Sequence, residues 1–334
     1  MLLILSEKGD LSTNDVIDWL YHLKVPFIRL NSDETEGVSI NAENFSDGLS
    51  CKIVTKNHTF YLNEIIGYWY RRGGLPFFKI PVKSIDEAFD ENVRGKVKEY
   101  LNNEAHTLYA FLHRYLDQIP GKIGSSESAG VNKLIVLDTA KKIGLKTPNW
   151  SVLMEKEDAV HFIEKHGGEV ITKGIWESLI VSTDDSGYST YTEQVGYDSF
   201  DDIKSTFFPS LLQNKIQKKY EVRVFFLLDS FWSMAIFSQN DPQTTVDFRK
   251  YNDDKPNRNI PFQLPKEIEE KLIKLMRQLK LETGSIDLIV DENDDFIFLE
   301  VNPVGQFGMT SSPCNYSLEK KIAQHFYNNQ KSKI

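Results

Sequence analysis

The stretch FIFLEVNPVGQFG, which runs from Phe296 to Gly308, combines a strand-forming apolar run with two polar side chains. Glu300 and Asn302 lie two positions apart, and side chains at i and i+2 of a strand point to the same face. A carboxylate in an otherwise apolar strand is costly to bury unless another group compensates its charge. The pattern therefore indicates a functional site at this position rather than simple burial in a core.

A second apolar run, SIDLIV, precedes this strand, and the polar residues DENDD separate the two. A hairpin centred between Asn293 and Asp294 would set Asp287 directly opposite Glu300. Directly opposed side chains lie about 4.5–5.5 Å apart at their Cβ atoms, and two carboxylates that close repel each other unless a cation lies between them. Oxygen ligands of this kind suit Mg²⁺. Asp287, Glu300 and Asn302 are therefore predicted to bind Mg²⁺; the alternative is an exposed hairpin whose acidic residues face water.

The positive charges that a Mg²⁺–nucleotide site needs must come from strands and helices, because the sequence contains neither a Walker A nor a Rossmann glycine motif. Lys173 interrupts a strand of otherwise buried-type residues, and Lys133 begins a helix whose apolar face starts at once. Arg223 alternates with valines in YEVRVFF, and Arg249 follows in VDFRK; an arginine on a strand can hold a phosphate through two hydrogen bonds. The alternatives are solvated lysines and arginines in strand-edge ion pairs.

The composition bounds the class of protein. The 334 residues carry a formal net charge of −9, with 40% hydrophobic and 26% charged residues. These values are typical of a soluble globular protein, and the acidic balance argues against a general nucleic-acid-binding protein.

Cys51 and Cys314 are the only cysteines, which excludes a disulfide framework or a Cys-rich zinc site. No apolar run is long enough to cross a bilayer, and the N-terminus does not read as a signal peptide, so we expect a cytoplasmic protein without a membrane partner.

The chain length predicts two or three domains, the order of patterns predicts a mixed α/β and α+β class, and the Gly/Ser-rich connector PGKIGSSESAG predicts one domain boundary. Residues 1–120 read as strand–helix–strand, with Ser12 or Thr13 as helix cap, a third strand that ends in RRGG, and a long helix from about Glu87 to Asp117; the strands indicate a small parallel sheet. Residues 121–208 contain a helix closed by Gly144 and a hairpin around TDDSG. Residues 209–334 are rich in strands, with helices near residues 265–279 and 318–328.

Taken together, these features resemble the ATP-grasp ligases over essentially the whole chain. FLEVNP, with an aspartate thirteen residues before its glutamate, is a fairly specific signature of that fold. YWYRRGG, VDFRKY and LEVNPVGQFG are similar to segments of the ATP-grasp peptide maturases that make graspetides, the microviridin-type or grasp-with-spasm group. The resemblance implies an ATP-grasp fold with an N-terminal pre-ATP-grasp α/β domain (1–120), a central subdomain (121–208) and a C-terminal subdomain (209–334).

The resemblance also implies a role for each matching position. The implied ATP-binding residues are Lys133, Lys173, Gln213, Asn214, Ile216, Glu221 and Arg223; the Mg²⁺ ligands are Asp287, Glu300 and Asn302; the catalytic residues are Arg223, Lys173, Arg71, Arg72 and Arg249. The two lysines match those that hold the ATP phosphates, and Arg223 matches the arginine near the transferred phosphate. The family commonly has Gln-Glu where this chain has Gln213 and Asn214.

The implied activity is an ATP- and Mg²⁺-dependent peptide macrocyclisation. Asp or Glu side chains of a ribosomally made precursor peptide would be activated as acyl phosphates and joined to Ser or Thr hydroxyls as esters. The expected partners are a precursor peptide with a leader and a core containing Thr, Asp and Glu, for which Asp184 and Asp185 are weak leader-binding candidates, and a second copy of the chain. The alternatives are an amino-acid ligase that extends a protein terminus with Glu and a catalytically silent nucleotide- or peptide-binding protein.

Arg71 and Arg72 follow an aromatic strand and precede two glycines. Ligands of parallel sheets commonly bind at the carboxyl ends of the strands, and a guanidinium group can grip a carboxylate through two hydrogen bonds. We therefore expect the two arginines to orient an acidic peptide. The alternative is that they stack on Tyr68, Trp69 or Tyr70 and serve the fold alone.

Overall fold

The computed structural model describes residues 1–33, 38–46, 48–75, 89–176, 180–182, 187–190, 192–238 and 257–331. The strands within them are β1 (Leu2–Ser6), β2 (Phe27–Asn31), β3 (Ser39–Phe45), β4 (Gly48–Val54), β5 (Thr59–Tyr61), β6 (Gly67–Tyr70), β7 (Trp150–Glu155), β8 (Val170–Lys173), β9 (Ile180–Ser182), β10 (Gly187–Ser189), β11 (Glu193–Val195), β12 (Thr206–Asn214), β13 (Lys218–Leu227), β14 (Ser230–Phe237), β15 (Arg258–Phe262), β16 (Thr283–Asp291) and β17 (Phe296–Asn302). The α-helices are α1 (Leu11–His22), α2 (Glu91–Leu116), α3 (Lys133–Ile143), α4 (Lys156–Lys165), α5 (Lys266–Gln278), α6 (Gly308–Cys314) and α7 (Leu318–Lys331).

The chain divides into two compact units. The first comprises the described residues of Met1–Gly130, Gln306–Ser311 and Ser317–Ile334. Its parallel sheet has the order β2-β1-β6, which confirms the predicted parallel arrangement. A second, antiparallel sheet with the order β3-β4-β5 was not predicted. The C-terminal helix α7 packs on α1 and β6, so the last helix of the chain belongs to the same unit as its N-terminus.

Two helix starts in the first unit differ from expectation. Helix α1 begins at Leu11 with Asp10 as its N-cap, so the prediction that Ser12 or Thr13 caps it is wrong. Both of those side chains are instead buried in the first turn, and the Thr13 hydroxyl donates a hydrogen bond of 2.7 Å to the Asp10 carboxylate. Helix α2 begins at Glu91, four residues later than expected, because the Asp90 side chain caps it there.

The second unit comprises the described residues of Val131–Gly305 and Ser312–Tyr316. It contains an antiparallel sheet ordered β11-β8-β12-β7, a five-stranded antiparallel sheet ordered β15-β14-β13-β16-β17, and the hairpin β9–β10. Helix α3 ends at Gly144, which has a φ of 90° as the cap pattern predicts. The hairpin strands confirm the predicted pairing around TDDSG, although most of that turn lies outside the described residues.

Helices α3 and α5 cover one face of the five-stranded sheet. Their apolar side chains and those of the sheet form a single core, which includes Val136, Leu137, Ala140, Leu272, Leu275, Met276, Val222, Val224, Phe226, Ile286, Leu288, Phe298 and Val301. Burial of this face fixes which strand residues point the other way. The boundary expected after residue 208 falls inside β12, and the division into three domains stays a prediction.

Candidate functional site

Three charged side chains lie in one row across neighbouring strands of the five-stranded sheet. Arg223 on β13 pairs in register with Asp287 on β16, and Asp287 pairs with Glu300 on β17. The expected opposition of Asp287 and Glu300 is therefore confirmed. Because strand side chains alternate, this row lies on the face opposite to Val222 and Leu288, which pack in the core. One face of the sheet packs against the helices, and the opposite face carries the charged side chains.

A β-bulge at Leu299 brings Glu300 to that charged face. Leu288 pairs with Phe298, whereas its neighbour Asp287 pairs with Glu300, so Leu299 is an extra residue on β17. Without this residue, Glu300 would share a face with Phe298, which is fully buried in the core. The bulge thus allows an apolar strand to end in polar ligands without burying them.

The bulge also corrects the expected position of the turn. Near the turn, Val290 pairs with Phe296, so this part of the hairpin centres on Asn293 and the predicted centre is wrong by half a residue. The extra residue shifts the register back before Glu300. The spacing of the apolar residues reflects the bulge. Phe298 and Val301 are both buried in the core although they lie three positions apart, and a regular strand would point them to opposite faces.

Two lysines converge on the Glu300 carboxylate. The Nζ atom of Lys173, the last residue of β8, lies 3.4 Å from Glu300 Oε2. The Nζ atom of Lys133, the first residue of α3, lies 4.0 Å from the same oxygen and donates a 3.3 Å hydrogen bond to the carbonyl of Gly174. Elements distant in sequence therefore bring together the two lysines expected at the ATP phosphates and a carboxylate expected to bind Mg²⁺.

Arg223 and Asp287 form a second ion pair beside the first. Arg223 Nη1 donates hydrogen bonds of 3.2 and 3.3 Å to the two carboxylate oxygens of Asp287. Two residues earlier on the same strand face, Glu221 is buried and pairs with Lys218, a lysine that the sequence analysis missed. Nothing in the local sequence separates Lys218 from Lys219, whose side chain is exposed; only the fold turns one of them inward.

Asn302 is held at the end of β17 by its own turn. Its Oδ1 accepts a 3.1 Å hydrogen bond from the backbone N–H of Val304, and the residue pairs with Ser285 across the hairpin. A Cβ atom on Gly305 would lie only 2.6 Å from the Ser285 Cβ, so glycine lets the loop close against β16. The amide oxygen of Asn302 and the carboxylates of Asp287 and Glu300 form an oxygen donor set that fits Mg²⁺.

The segment expected beneath the adenine lies at the end of β12. Gln213 is 1% exposed, and its Nε2 has no hydrogen-bond acceptor in the part of the chain that the structure describes. A buried amide donor of this kind fits a ring-nitrogen acceptor of a purine. Asn214 Oδ1 already accepts a 2.6 Å hydrogen bond from the Asn149 N–H, and Ile216 is half-buried in the connection to β13.

The first unit holds Arg71 and Arg72 at the end of β6. Arg71 is 3% exposed, its Nε lies 3.0 Å from Asp10 Oδ2, and its guanidinium lies 5.4 Å from the centre of the Phe307 ring. Burial lowers the pKa of Arg71 to about 10, still above physiological pH. Arg72 is half-buried. The aromatic contact of Arg71 is therefore with Phe307 rather than Tyr68, Trp69 or Tyr70, and the substrate role of both arginines stays a prediction.

Two tyrosines hold the RRGG turn. The hydroxyl of Tyr70 donates a 2.5 Å hydrogen bond to the carbonyl of Gly73, and the N–H of Leu75 donates a 2.9 Å bond to the hydroxyl of Tyr109. A Cβ atom on Gly74 would lie 1.1 Å from that hydroxyl. Close packing within the chain therefore requires a glycine at this position.

Three of the candidate residues lie outside the described residues: Arg249, Asp184 and Asp185.

Among the residues that are described, no group of three or more His, Cys, Asp or Glu side chains is arranged to bind a metal ion, so the candidate site depends on the Asn302 amide as its third donor. No helix in the described part is both long and apolar enough to cross a membrane.

Comparisons with known proteins identify the fold. No protein-family model and no curated protein sequence matches the chain. A RiPP-associated ATP-grasp ligase of Chryseobacterium gregarium, solved with ADP and a leader and core peptide, matches with a TM-score of 0.79 and 24% identity over 100% of this chain and 97% of the other. The macrocyclase MdnC of Microcystis aeruginosa MRC, bound to its precursor peptide MdnA, matches with a TM-score of 0.76 and 22% identity over 98% and 99%.

A third solved structure extends the comparison. The ATP-grasp ligase PsnB, complexed with a minimal precursor, Mg and ADP, matches with a TM-score of 0.72 and 13% identity over 98% of this chain and 96% of the other. Likeness at these identities establishes the ATP-grasp fold and confirms the predicted fold class.

Proposed function

We propose that this chain is an ATP- and Mg²⁺-dependent ligase that closes rings in a ribosomally made peptide. The observation that carries the proposal is the convergence of Lys133 and Lys173 on Glu300, beside the pair of Arg223 and Asp287. This arrangement occurs in an ATP-grasp fold, and solved proteins of that fold include ligases bound to ADP and precursor peptides.

We assign nucleotide binding mainly to the cationic side chains and metal binding to the side chains with oxygen donors. Lys133 and Lys173 bind the phosphates, and the buried Gln213 amide binds the adenine. Asp287, Glu300 and Asn302 hold Mg²⁺, which when bound neutralises charge on the β- and γ-phosphate oxygens. The side chain of Glu221, expected to bind ATP, is paired with Lys218, so we assign it the part of orienting that end of β13.

The proposed reaction has two steps. The carboxylate of a peptide Asp or Glu attacks the γ-phosphorus of ATP, the bond to ADP breaks, and an acyl phosphate forms. A peptide Ser or Thr hydroxyl then attacks the acyl carbon, phosphate leaves, and the hydroxyl proton is lost to solvent. Arg223 is the residue that we assign to stabilise charge on the transferred phosphoryl group. Each ring therefore consumes one ATP and removes one water from the peptide.

The substrate is a precursor peptide with a leader and a core that contains Thr, Asp and Glu. Arg72, which follows β6, is the arginine that we assign to the acidic core, because it is half-buried whereas Arg71 is only 3% exposed. Ester links are proposed rather than amides. This preference rests on the resemblance to the ester-forming maturases.

Mass spectrometry tests this function. The chain is incubated with ATP, Mg²⁺ and the peptide encoded by a short reading frame beside its own. We expect one dehydration for each ring, and recovery of the water in mild base because esters hydrolyse there. Dehydrations that survive base would replace the ester assignment with amides. ATP consumption without any dehydration of the peptide would refute the macrocyclase.

A second copy of the chain is the proposed protein partner, and α2 is the surface assigned to it. Val93, Tyr100 and Phe111 are exposed, the last two to 62% and 48%, and their spacings of seven and eleven residues keep them on one face of the helix. A long helix that exposes large apolar side chains on one face can pair through them with a copy of itself. Light scattering should show a dimer that Phe111→Glu converts to a monomer and that Phe208→Glu, in the second unit, leaves intact. A monomeric wild-type chain would refute the proposal.

A further inference from the structure

The cations and carboxylates of the candidate site are paired with each other. Glu300 Oε2 lies 3.4 Å from Lys173 Nζ and 4.0 Å from Lys133 Nζ, and both carboxylate oxygens of Asp287 accept hydrogen bonds from Arg223 Nη1. Each ion pair therefore joins a residue that we assign to phosphate with a residue that we assign to the metal ion.

We propose that these pairs couple metal and nucleotide binding, so that the site accepts Mg²⁺ and ATP together and disfavours either one alone. The inference rests on the proposed binding of both ligands here. It assigns Lys173 and Lys133 a second task besides holding phosphates. They are counter-ions that keep Glu300 from binding a metal ion until phosphate oxygens draw them away.

The geometry sets the two uses of Glu300 in competition. Mg²⁺ binds carboxylate oxygens at about 2.0–2.1 Å, and the ammonium group of Lys173 lies 3.4 Å from Oε2 of the same carboxylate. Two cations on one carboxylate repel each other. Binding of Mg²⁺ to Glu300 therefore weakens the pairs with the lysines, at a cost that the phosphates offset by accepting the ammonium groups.

The charge balance points the same way. The cluster of five side chains in these pairs contains three cations (Lys133, Lys173 and Arg223) and two carboxylates (Asp287 and Glu300), so these five together carry a net charge of one positive. Free Mg²⁺ would add positive charge to a positive cluster. Free ATP would compete with Glu300 for the lysines. The complex of Mg²⁺ with ATP supplies both signs at once and leaves every charged group of the cluster with an opposite neighbour.

Burial gives these pairs enough strength to act in this way. The side chain of Lys173 is 13% exposed and that of Glu300 is 25% exposed. Pairs between fully solvated charges contribute little, whereas partial burial weakens the screening by water. The pair of Lys146 and Asp295, on the turn of the same hairpin, is much more exposed and serves as a matched reference.

The first test measures metal binding without nucleotide. Mn²⁺, a paramagnetic probe, is titrated into the wild-type chain, Lys173→Met and Lys146→Met, and the unbound ion is measured by electron paramagnetic resonance. Lys173→Met should bind Mn²⁺ roughly fivefold more tightly or better, since breaking one partly buried pair is no longer required. Lys146→Met removes the same charge and should match wild type.

Lys133→Met provides a second variant should Lys173→Met fail to fold. Its effect should have the same direction and be smaller, because its ammonium lies farther from Glu300. Mn²⁺ affinity unchanged or weakened in the folded lysine variants would overturn the inference.

The reciprocal test measures ATP binding without metal. In excess EDTA, calorimetry should show that Glu300→Gln binds ATP more tightly than wild type, because both lysines are then available to the phosphates. Asp295→Asn should bind as wild type does. Equal or weaker binding by Glu300→Gln would overturn the coupling. If wild type does not bind ATP even with Mg²⁺, the proposed function fails as well, which separates the two failures.

Discussion

The β16–β17 hairpin forms ion pairs at its turn and at its opposite end, and the two sets differ in burial and in how many cations share one carboxylate. At the turn, Asp295 pairs with Lys146, whose side chain is 58% exposed, and Asp294 pairs with Lys219 at 2.7 Å. At the other end, two lysines from different elements reach a single oxygen of Glu300.

The comparison separates acidic residues that build a turn from those that build a site. Asp291 Oδ1 accepts 2.9 Å hydrogen bonds from the N–H groups of Asn293 and Asp295, which shapes the turn locally. At the other end, the bulge at Leu299 and the strand register set Glu300 beside the lysines. Both ends of the hairpin are acidic. The candidate site differs in that two lysines converge on one carboxylate and that this carboxylate is partly buried.

Neutralising one carboxylate at each end of the hairpin should give the largest difference in activity. Glu300→Gln should lower ATP-dependent ADP formation by at least about 100-fold, since changing even a group that supports a metal ligand costs 10–100-fold. Asp295→Asn should keep wild-type turnover. A coupled ADP assay on both variants, with circular dichroism as a check on folding, decides the point. Wild-type turnover in Glu300→Gln would sink the metal assignment.

Lysine substitutions sharpen the contrast for the nucleotide. Lys173→Ala and Lys133→Ala should each weaken binding of Mg²⁺·ATP by about 1.5–3 kcal/mol, the range for hydrogen bonds to charged groups. Lys219→Ala, at the turn, should leave the affinity unchanged. Calorimetry with a non-hydrolysable ATP analogue measures all three. If both site variants bind as tightly as wild type, the lysines are ordinary partly exposed residues.

Arg71 and Arg72 extend the comparison to the first unit. Arg71→Lys should lower the free energy of unfolding by about 1.5–3 kcal/mol, because lysine cannot reproduce the charge-assisted bond of Nε to Asp10 in a buried site. Arg72→Lys should keep the stability and reduce ring closure about tenfold, or about 1.4 kcal/mol in transition-state stabilisation. Urea unfolding and the dehydration rate are measured on each variant. An unchanged rate in Arg72→Lys at unchanged stability would remove its substrate role.

The smallest effect is expected at the turn itself. A double-mutant cycle of Lys146→Ala and Asp295→Ala should give a coupling energy below about 1 kcal/mol, as is usual for solvent-exposed pairs. Urea unfolding at low and high salt measures it. A coupling of several kcal/mol would show that exposure is a poor guide to the strength of these pairs and would weaken the contrast between the two ends.

Local periodicity was enough to predict the parallel sheet, the cap at Gly144 and the opposition of Asp287 and Glu300. The last of these succeeded although the turn centre was misplaced, because the bulge at Leu299 compensated the error. The Asp10 cap could not be predicted, since burial of Ser12 and Thr13 depends on packing between distant elements. The same limit applies to α7, whose apolar face does not specify that it packs on α1.

Whether the metal ion and the nucleotide share one site is seen directly in a crystal of the wild-type chain grown with Mn²⁺ and ADP. We expect an anomalous difference peak within coordination distance of Asp287, Glu300 and Asn302. We also expect the phosphates of ADP to lie against Lys133 and Lys173, and both ammonium groups to have moved away from Glu300. A metal ion bound elsewhere, or ADP phosphates out of reach of both lysines, would refute the assignment of these residues.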